Sequence, residues 1–205
     1  MAKSLLPESL LLGTRNPGKF KEITSILHDV GWSFCSLQEF PDVEVAEENG
    51  DTFAENAIAK AQFYASATGL WVLADDSGLE IAALGGAPGV FSARYAGDNA
   101  SDANRRELLL SELAKTNNTN RSARFAAVVA ISDNNGHILN ISEGICEGTL
   151  TFTPRGHGGF GYDPLFVPEG YDKTFAELPD TIKNRISHRA RALIATRDFL
   201  LSCKS

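Results

Sequence analysis

Cysteine is scarce. The 205 residues carry three, Cys35, Cys146 and Cys203, far apart, odd in number and without metal-ligand spacing. That pattern argues against a disulfide framework and suits reduced thiols in a cytoplasmic protein. Basic charge is also short, with 19 Lys and Arg against 26 Asp and Glu and a formal net charge of −7. Binding along a nucleic-acid backbone rests on many cations neutralising phosphates, so nucleic acid is not an expected partner and any phosphate site has to be a local basic cluster. Long hydrophobic runs are missing too. The leucine-rich start is broken by Pro7 and Glu8, and no apolar stretch approaches membrane-spanning length, so no membrane partner is expected. With 43% hydrophobic and 22% charged residues, the composition is that of one cooperative globular domain, residues 1–205, large enough for two closely joined lobes.

The stretch that organises the rest runs from Leu70 to Gly97. Leu70 to Ala74 reads as a buried strand ending in Asp75, Asp76, Ser77 and Gly78, two carboxylates followed by turn formers. Open α/β sheets bind ligands beyond the carboxyl ends of their strands, so paired aspartates there are suited to holding a metal ion or activating water. A plain polar turn is the alternative. The following Gly85, Gly86, Ala87, Pro88 and Gly89 permit close backbone approach to a ligand.

Upstream, Ser9 to Gly13 reads as a first strand. Thr14, Arg15, Asn16, Pro17, Gly18 and Lys19 lead from it into a helix with apolar residues at Phe20, Ile23, Ile26, Leu27 and Val30 and a stop at Gly31. Amides at a helix start favour anions and Lys19 adds positive charge, so a phosphate site is physically reasonable. Gly13 to Lys19 matches G-x-x-x-x-G-K, but Phe20 stands where a P-loop needs Ser or Thr for magnesium, so a metal has to be held elsewhere. Trp32 to Leu37 is expected as a second strand. The acidic segment Pro41 to Asp51, with Glu44, Glu47, Glu48 and Asp51, is either a solvated loop or the source of that metal carboxylate. Thr52 to Glu55 forms a capping box for a helix reaching Gly69. Lys60 lies on it among small apolar residues, where a lysine usually snorkels to solvent.

Downstream, Ser101 and Asp102 open a helix carrying Leu108, Leu109, Leu110 and Leu113, and Lys115 to Arg121 is a polar linker. Ala123 to Ile131 and His137 to Ile145 read as strands joined by a hairpin turn at Asp133 to Gly136, which makes the sheet mixed. The hairpin is expected to project as a second lobe, with the ligand cleft between lobes. Arg155 to Pro164 holds four glycines. There Phe160 or Tyr162 can stack on a planar ring and Asp163 or main-chain groups can read its edge, against the plainer reading of a glycine-rich surface loop. A single final helix is expected over Asp180 to Leu201, with Ile186, Ala190, Leu193, Ile194 and Leu201 on its apolar face and Lys183, His188, Arg189 and Arg191 polar.

Seven segments in one order carry a resemblance: T-R-N-P-G-K at Thr14 to Lys19, A-E-E at Ala46 to Glu48, F-x-E-N-A-x-x-K-A at Phe53 to Ala61, A-D-D-S-G-L at Ala74 to Leu79, G-G-A-P-G-V-F-S-A-R-Y at Gly85 to Tyr95, G-G-F-G-Y-D-P at Gly158 to Pro164, and S-H-R at Ser187 to Arg189. Together they resemble the inosine triphosphate pyrophosphatase family, the house-cleaning enzymes for non-standard purine nucleoside triphosphates. Phe91, where tyrosine is frequent, and Arg15 depart from the pattern without removing a functional group.

The resemblance implies a mixed central sheet flanked by helices, two lobes with the site between them, and a homodimer. It implies cleavage of a purine nucleoside triphosphate to the monophosphate and pyrophosphate with Mg²⁺. By the same carry-over the segment Thr14 to Lys19 and Lys60 bind the triphosphate, Glu47 and Asp76 hold the metal, and Asp76 is the general base. Ser77, Phe160, Gly161, Tyr162, Asp163, Lys183, His188 and Arg189 complete the substrate set, with Phe160 stacking on the base and His188 and Arg189 near its six position. Donors there favour the carbonyl of hypoxanthine or xanthine over the amino group of adenine. A nucleotide sensor without turnover and a phosphatase releasing phosphate are the competing readings.

Overall fold

The computed structural model describes residues 9–116 and 118–204. The start of the chain through Glu8, and Asn117 of the expected linker, lie outside the described residues. Strands β1 (Ser9–Leu12), β2 (Ser33–Ser36), β3 (Trp71–Ile81), β4 (Ser122–Ser132), β5 (Ile138–Leu150) and β6 (Phe166–Pro168) form one sheet in the order β2-β1-β3-β4-β5-β6. The pairing is mixed, as expected: β1 runs parallel to both β2 and β3, whereas β6 is antiparallel to β5. The helices are α1 (Pro17–Ile26), α2 (Phe53–Thr68), α3 (Asp102–Lys115), α4 (Asp180–Ile186) and α5 (His188–Ser202). Among the described residues, no helix is long and apolar enough to cross a membrane.

The chain divides into two compact units. The first comprises the described part of Met1–Asp76, Val128–Glu143 and Ala192–Ser205. Its core gathers Leu11, Leu37, Val72, Ala74, Val128 and Ala130 with Ala57, Ala61 and Ala65 of α2. Those three alanines recur every fourth residue, so one helix face is small enough to lie close against its neighbours. The capping box that starts α2 is present, with Thr52 accepting from the Glu55 amide, and Gly69 ends the helix at φ 68. The second unit, Ser77–Ala127 and Gly144–Arg191, packs Leu79, Ile81, Leu109, Leu113 and Tyr162 with Phe125, Phe166 and Phe175. Phe125 meets Phe166 edge-on at 4.7 Å between centroids, a favoured aromatic geometry.

Three expectations need correction. The strand at Leu70 does not end at the aspartates: β3 runs through Asp75, Asp76, Ser77 and Gly78 to Ile81. Leu79 and Ile81 are fully buried, and the Leu79 N–H donates to Ser92 Oγ at 2.9 Å, so burial overrides the turn propensity of Ser-Gly. The hairpin is not a projecting second lobe, because both its strands belong to the central sheet. Its turn is part of the first unit, where the Gln62 side-chain amide donates to the Gly136 carbonyl at 3.1 Å. The final helix is two helices, broken at Ser187 (φ −67, ψ 159). Ser187 closes α4 through its N–H on the Lys183 carbonyl and starts α5 by accepting the Ala190 amide on its hydroxyl at 3.2 Å, as an N-cap serine does. The apolar face of α5 is correspondingly shifted. Ala190, Ala192, Leu193 and Leu200 are buried, whereas Ile194 and Leu201 are 46% and 39% exposed.

Candidate functional site

In the first unit, the alternation of β3 sends its two adjacent aspartates to different partners. Asp75 meets Lys19 of α1 at 3.1 Å, and Asp76 meets Lys60 of α2 at 2.8 Å. Lys60 is only 6% exposed and also reaches Glu48 Oε1 at 2.6 Å, so one buried ammonium lies between two carboxylates. Burial pulls the Lys60 ammonium down, but the charges of Asp76, Glu48 and Asp75 outweigh it and leave Lys60 above the ordinary lysine value. Burial lifts the Asp76 carboxyl above its ordinary value, and the opposing charges of Lys60 and Lys19 offset only part of the rise.

The neighbouring backbone is built to allow this. Gly13 follows β1 where a Cβ would fall 3.0 Å from the Tyr64 ring and 3.1 Å from Ala74, so a side chain there would make its neighbours give way by a few tenths of an ångström. Tyr64 in turn accepts the Ala46 amide at 3.2 Å and anchors the acidic loop at the residue before Glu47. Asn56, one turn before Lys60 on α2, accepts the Gly50 amide at 2.8 Å and donates to Asp76 Oδ2 at 3.3 Å. It thereby ties the acidic loop to β3.

In the first loop, Asn16 caps α1. Its side-chain oxygen accepts the Gly18 and Lys19 amides at 2.8 and 3.1 Å, and Thr14 Oγ1 accepts the Asn16 amide at 3.2 Å. Pro17 contributes no N–H. The Gly18 and Lys19 amides at this helix start are thus already taken by the Asn16 oxygen. Arg15 is exposed and donates to the Val43 carbonyl at 2.5 Å.

In the second unit, Asp163 and Lys183 are each 3% exposed and form an ion pair. The same Asp163 oxygen accepts the Phe160 amide at 2.8 Å, so the carboxylate braces the loop from within. A Cβ on Gly159 would land on this carboxylate, which accounts for glycine there. The Lys183 ammonium lies 4.9 Å from the Phe160 ring centroid and the Arg189 guanidinium 5.6 Å, placing two cations against one aromatic ring. Arg189, 2% exposed, donates to Ser77 Oγ at 2.8 Å. His188 is buried with its ring stacked on Phe125 at 4.6 Å and 10°. Tyr162 is buried too, and its hydroxyl donates to the Ser92 carbonyl at 3.0 Å.

Each unit thus gathers its own share of the residues singled out from sequence. Lys19, Lys60, Asp75 and Asp76 come together in the first, and Ser77, Phe160, Asp163, Lys183 and Arg189 in the second. Glu47 does not join the Lys60 cluster as Glu48 does. It is exposed and accepts from the Asn49 side chain at 2.7 Å. Asn56 was given no role in the sequence reading, although it stands inside F-x-E-N-A-x-x-K-A four residues before Lys60. That spacing, which puts two side chains on one helix face, was the available signal.

A family model described as the Ham1 family matches residues 10–199. A dITP/XTP pyrophosphatase from Desulforamulus reducens is 49% identical over 93% of this chain and 94% of its own length. Another from Bacillus subtilis is 47% identical over 92% and 95%. Among solved structures, a HAM1 protein from Coxiella burnetii superposes with a TM-score of 0.87 at 44% identity, covering 96% of this chain and all of that one. A nucleoside-triphosphatase, dITP/XTP pyrophosphatase, from Mycobacterium abscessus gives 0.72 at 40%, covering 92% and 98%. Matched along nearly its whole length in both sequence and fold, the chain belongs to the Ham1 family.

Proposed function

We propose that the chain hydrolyses non-standard purine nucleoside triphosphates, inosine, deoxyinosine and xanthosine triphosphate, to the nucleoside monophosphate and pyrophosphate, and so clears them from the nucleotide pool. The observation that carries this reading is the buried Lys60, held between Asp76 and Glu48 at 2.8 and 2.6 Å. A triphosphate carries about four negative charges, and cleavage moves charge onto the leaving pyrophosphate, so preorganised cations are what the reaction needs. Lys19 and Lys60 supply them, with the Thr14 to Gly18 loop lying against the phosphates. Asp76 takes the proton of the attacking water. The water oxygen bonds to phosphorus as the α–β bridge breaks, and pyrophosphate departs with the bridging electron pair. A carboxyl lifted above its ordinary value is better matched to base work near neutrality than an unperturbed one.

The donor set fits Mg²⁺. This ion takes oxygen ligands and is usually held by one or two carboxylates together with substrate phosphates, so Asp76 would hold it, joined by Glu47 once that exposed side chain leaves Asn49. When bound, the ion supplies charge neutralisation and lowers the pKa of its water.

In the second unit, Phe160 stacks on the purine while Gly161 to Asp163, Lys183, His188 and Arg189 shape the pocket for its edge, with Ser77 holding Arg189. The reading includes a homodimer, from the family resemblance, and a cytoplasmic location, which the free thiols of Cys35, Cys146 and Cys203 favour. Product analysis with inosine triphosphate and Mg²⁺ tests the whole. Monophosphate plus pyrophosphate, abolished by chelator, is the expected result. Diphosphate plus phosphate makes the chain a phosphatase, binding without turnover makes it a sensor, and a rate indifferent to chelator removes the metal assignment.

A further inference from the structure

Gly161 adopts φ +59, in the left-handed region, and both of its main-chain polar groups are held by α3. Its N–H donates to Asp102 Oδ2 at 2.6 Å, and its carbonyl accepts from the Arg106 guanidinium at 2.6 Å. Asp102 is the first residue of α3, and its other oxygen accepts from Arg105 at 2.6 Å. Arg105 donates in addition to the Ala93 carbonyl. The next loop residue is pinned separately, since the Tyr162 hydroxyl donates to the Ser92 carbonyl while Ser92 Oγ accepts the Leu79 amide of β3. Both bonds to Gly161 are charge-assisted, the stronger class, and they grip a residue that is otherwise the freest in the loop.

We infer that Asp102 and Arg106 are positioning residues for nucleobase recognition, holding Gly161 by its amide and carbonyl so that the Phe160 to Asp163 loop meets the purine already formed. This rests on the reading, given above, that the loop contacts the base. Neither residue belongs to the groups assigned to substrate. A loop ordered in advance spares the ordering cost at binding, so losing the clamp weakens substrate affinity and leaves the chemical step nearly untouched.

The test is steady-state kinetics on the full chain with inosine triphosphate, with inorganic tripolyphosphate as a base-free competitive inhibitor. Loss of one charge-assisted bond predicts that Asp102→Ala raises KM roughly tenfold or more. The kcat and the inhibition constant of tripolyphosphate should each stay within about twofold, a uniform-binding loss confined to the base. Asp102→Asn retains an acceptor for the Gly161 amide and should recover part of the loss. Arg106→Ala, restored in part by Arg106→Lys, should repeat the pattern from the carbonyl side and serves if the Asp102 variants fail to fold. An unchanged KM, or a KM that rises together with the tripolyphosphate constant, overturns the clamp. An unmodified chain that leaves inosine triphosphate intact overturns the proposed function instead.

Discussion

Lys60 in the first unit and Lys183 in the second are both sealed from solvent, at 6% and 3% exposure, yet they keep different company. Lys60 faces two carboxylates, and one of them, Glu48, keeps a side chain 27% open to water. Lys183 faces the carboxylate of Asp163 and the rings of Phe160 and Phe175. The first grouping has more acid than base, with Asp75, Asp76 and Glu48 against Lys19 and Lys60. The second sets the cations of Lys183 and Arg189 around the Asp163 carboxylate and the Phe160 ring, with Asp163 also bonded to the Phe160 amide. Sealing alone therefore does not say what a lysine does. What distinguishes Lys60 is its place between two carboxylates, one of them partly open to water, whereas Lys183 is set against aromatic rings as well as a carboxylate.

The largest effect that would break this contrast is on stability. Removing one member of a buried ion pair typically costs about 3–5 kcal/mol because the other charge is stranded. Lys183→Met should therefore destabilise strongly in urea unfolding. Lys60→Met should cost less, since Asp76 already has a raised pKa and can take a proton, and Glu48 can turn to water. Equal losses in the two variants would erase the distinction.

Next comes the rate. Asp76→Asn retains the volume and one acceptor oxygen for Lys60 or Asn56, both of which donate to Asp76, but removes the base, so kcat should fall by at least about 100-fold. Substrate binding should change far less, and the fold should stay close to the parent by thermal melting. A variant keeping most of its turnover would remove Asp76 from the chemistry and leave the first grouping purely structural.

Much of this arrangement was legible beforehand because it depends on local rules. The Thr52 capping box, the Pro17 helix start and the Asp133 to Gly136 turn are short-range signals, and each formed as expected. The errors lie where tertiary burial decides. Ser77 and Gly78 look like a stop until Leu79 and Ile81 have a core to enter, and Ser187 looks like mid-helix polarity until it serves as a cap. Individual pairings were harder still. Lys60 has the sequence context of a snorkelling lysine, and nothing local announces that Glu48, twelve residues earlier, will meet it. The whole-chain order of motifs pointed to the residues, but not to who bonds whom.

A smaller effect sharpens the role of the second grouping. Arg189→Ala removes the guanidinium that faces Phe160 and bonds Ser77. The ratio of kcat/KM for inosine triphosphate over adenosine triphosphate should narrow, by roughly tenfold, through loss on the inosine side, as expected for one lost hydrogen bond to a charged donor. A ratio that is unchanged, or that narrows because adenosine triphosphate improves, would mean that Arg189 only supports the loop. Equal efficiency on both substrates in the unmodified chain would refute the pocket assignment altogether.

The smallest expected effect is a pH dependence at Asp102. Burial alone would raise its carboxyl, but the Gly161 amide, the Arg105 guanidinium and the charge of Arg106 overcome this and hold it below the ordinary carboxylate value. A carboxyl whose folded value is lowered adds stability that is complete above the unfolded value, about 3.9, and is lost as pH falls through the folded one. The melting temperature of the parent should therefore exceed that of Asp102→Asn by a constant margin from neutral pH down to about pH 4–5. Below that range the margin should shrink and then vanish, because both side chains are then uncharged. Salt should reduce it only in part, since the Gly161 amide bond is not an ion pair and Asp102 is half-buried. A margin that grows on acidification would reverse the sign of the shift. The Gly161 contact would then have to be a consequence of the loop's shape and not one of its causes.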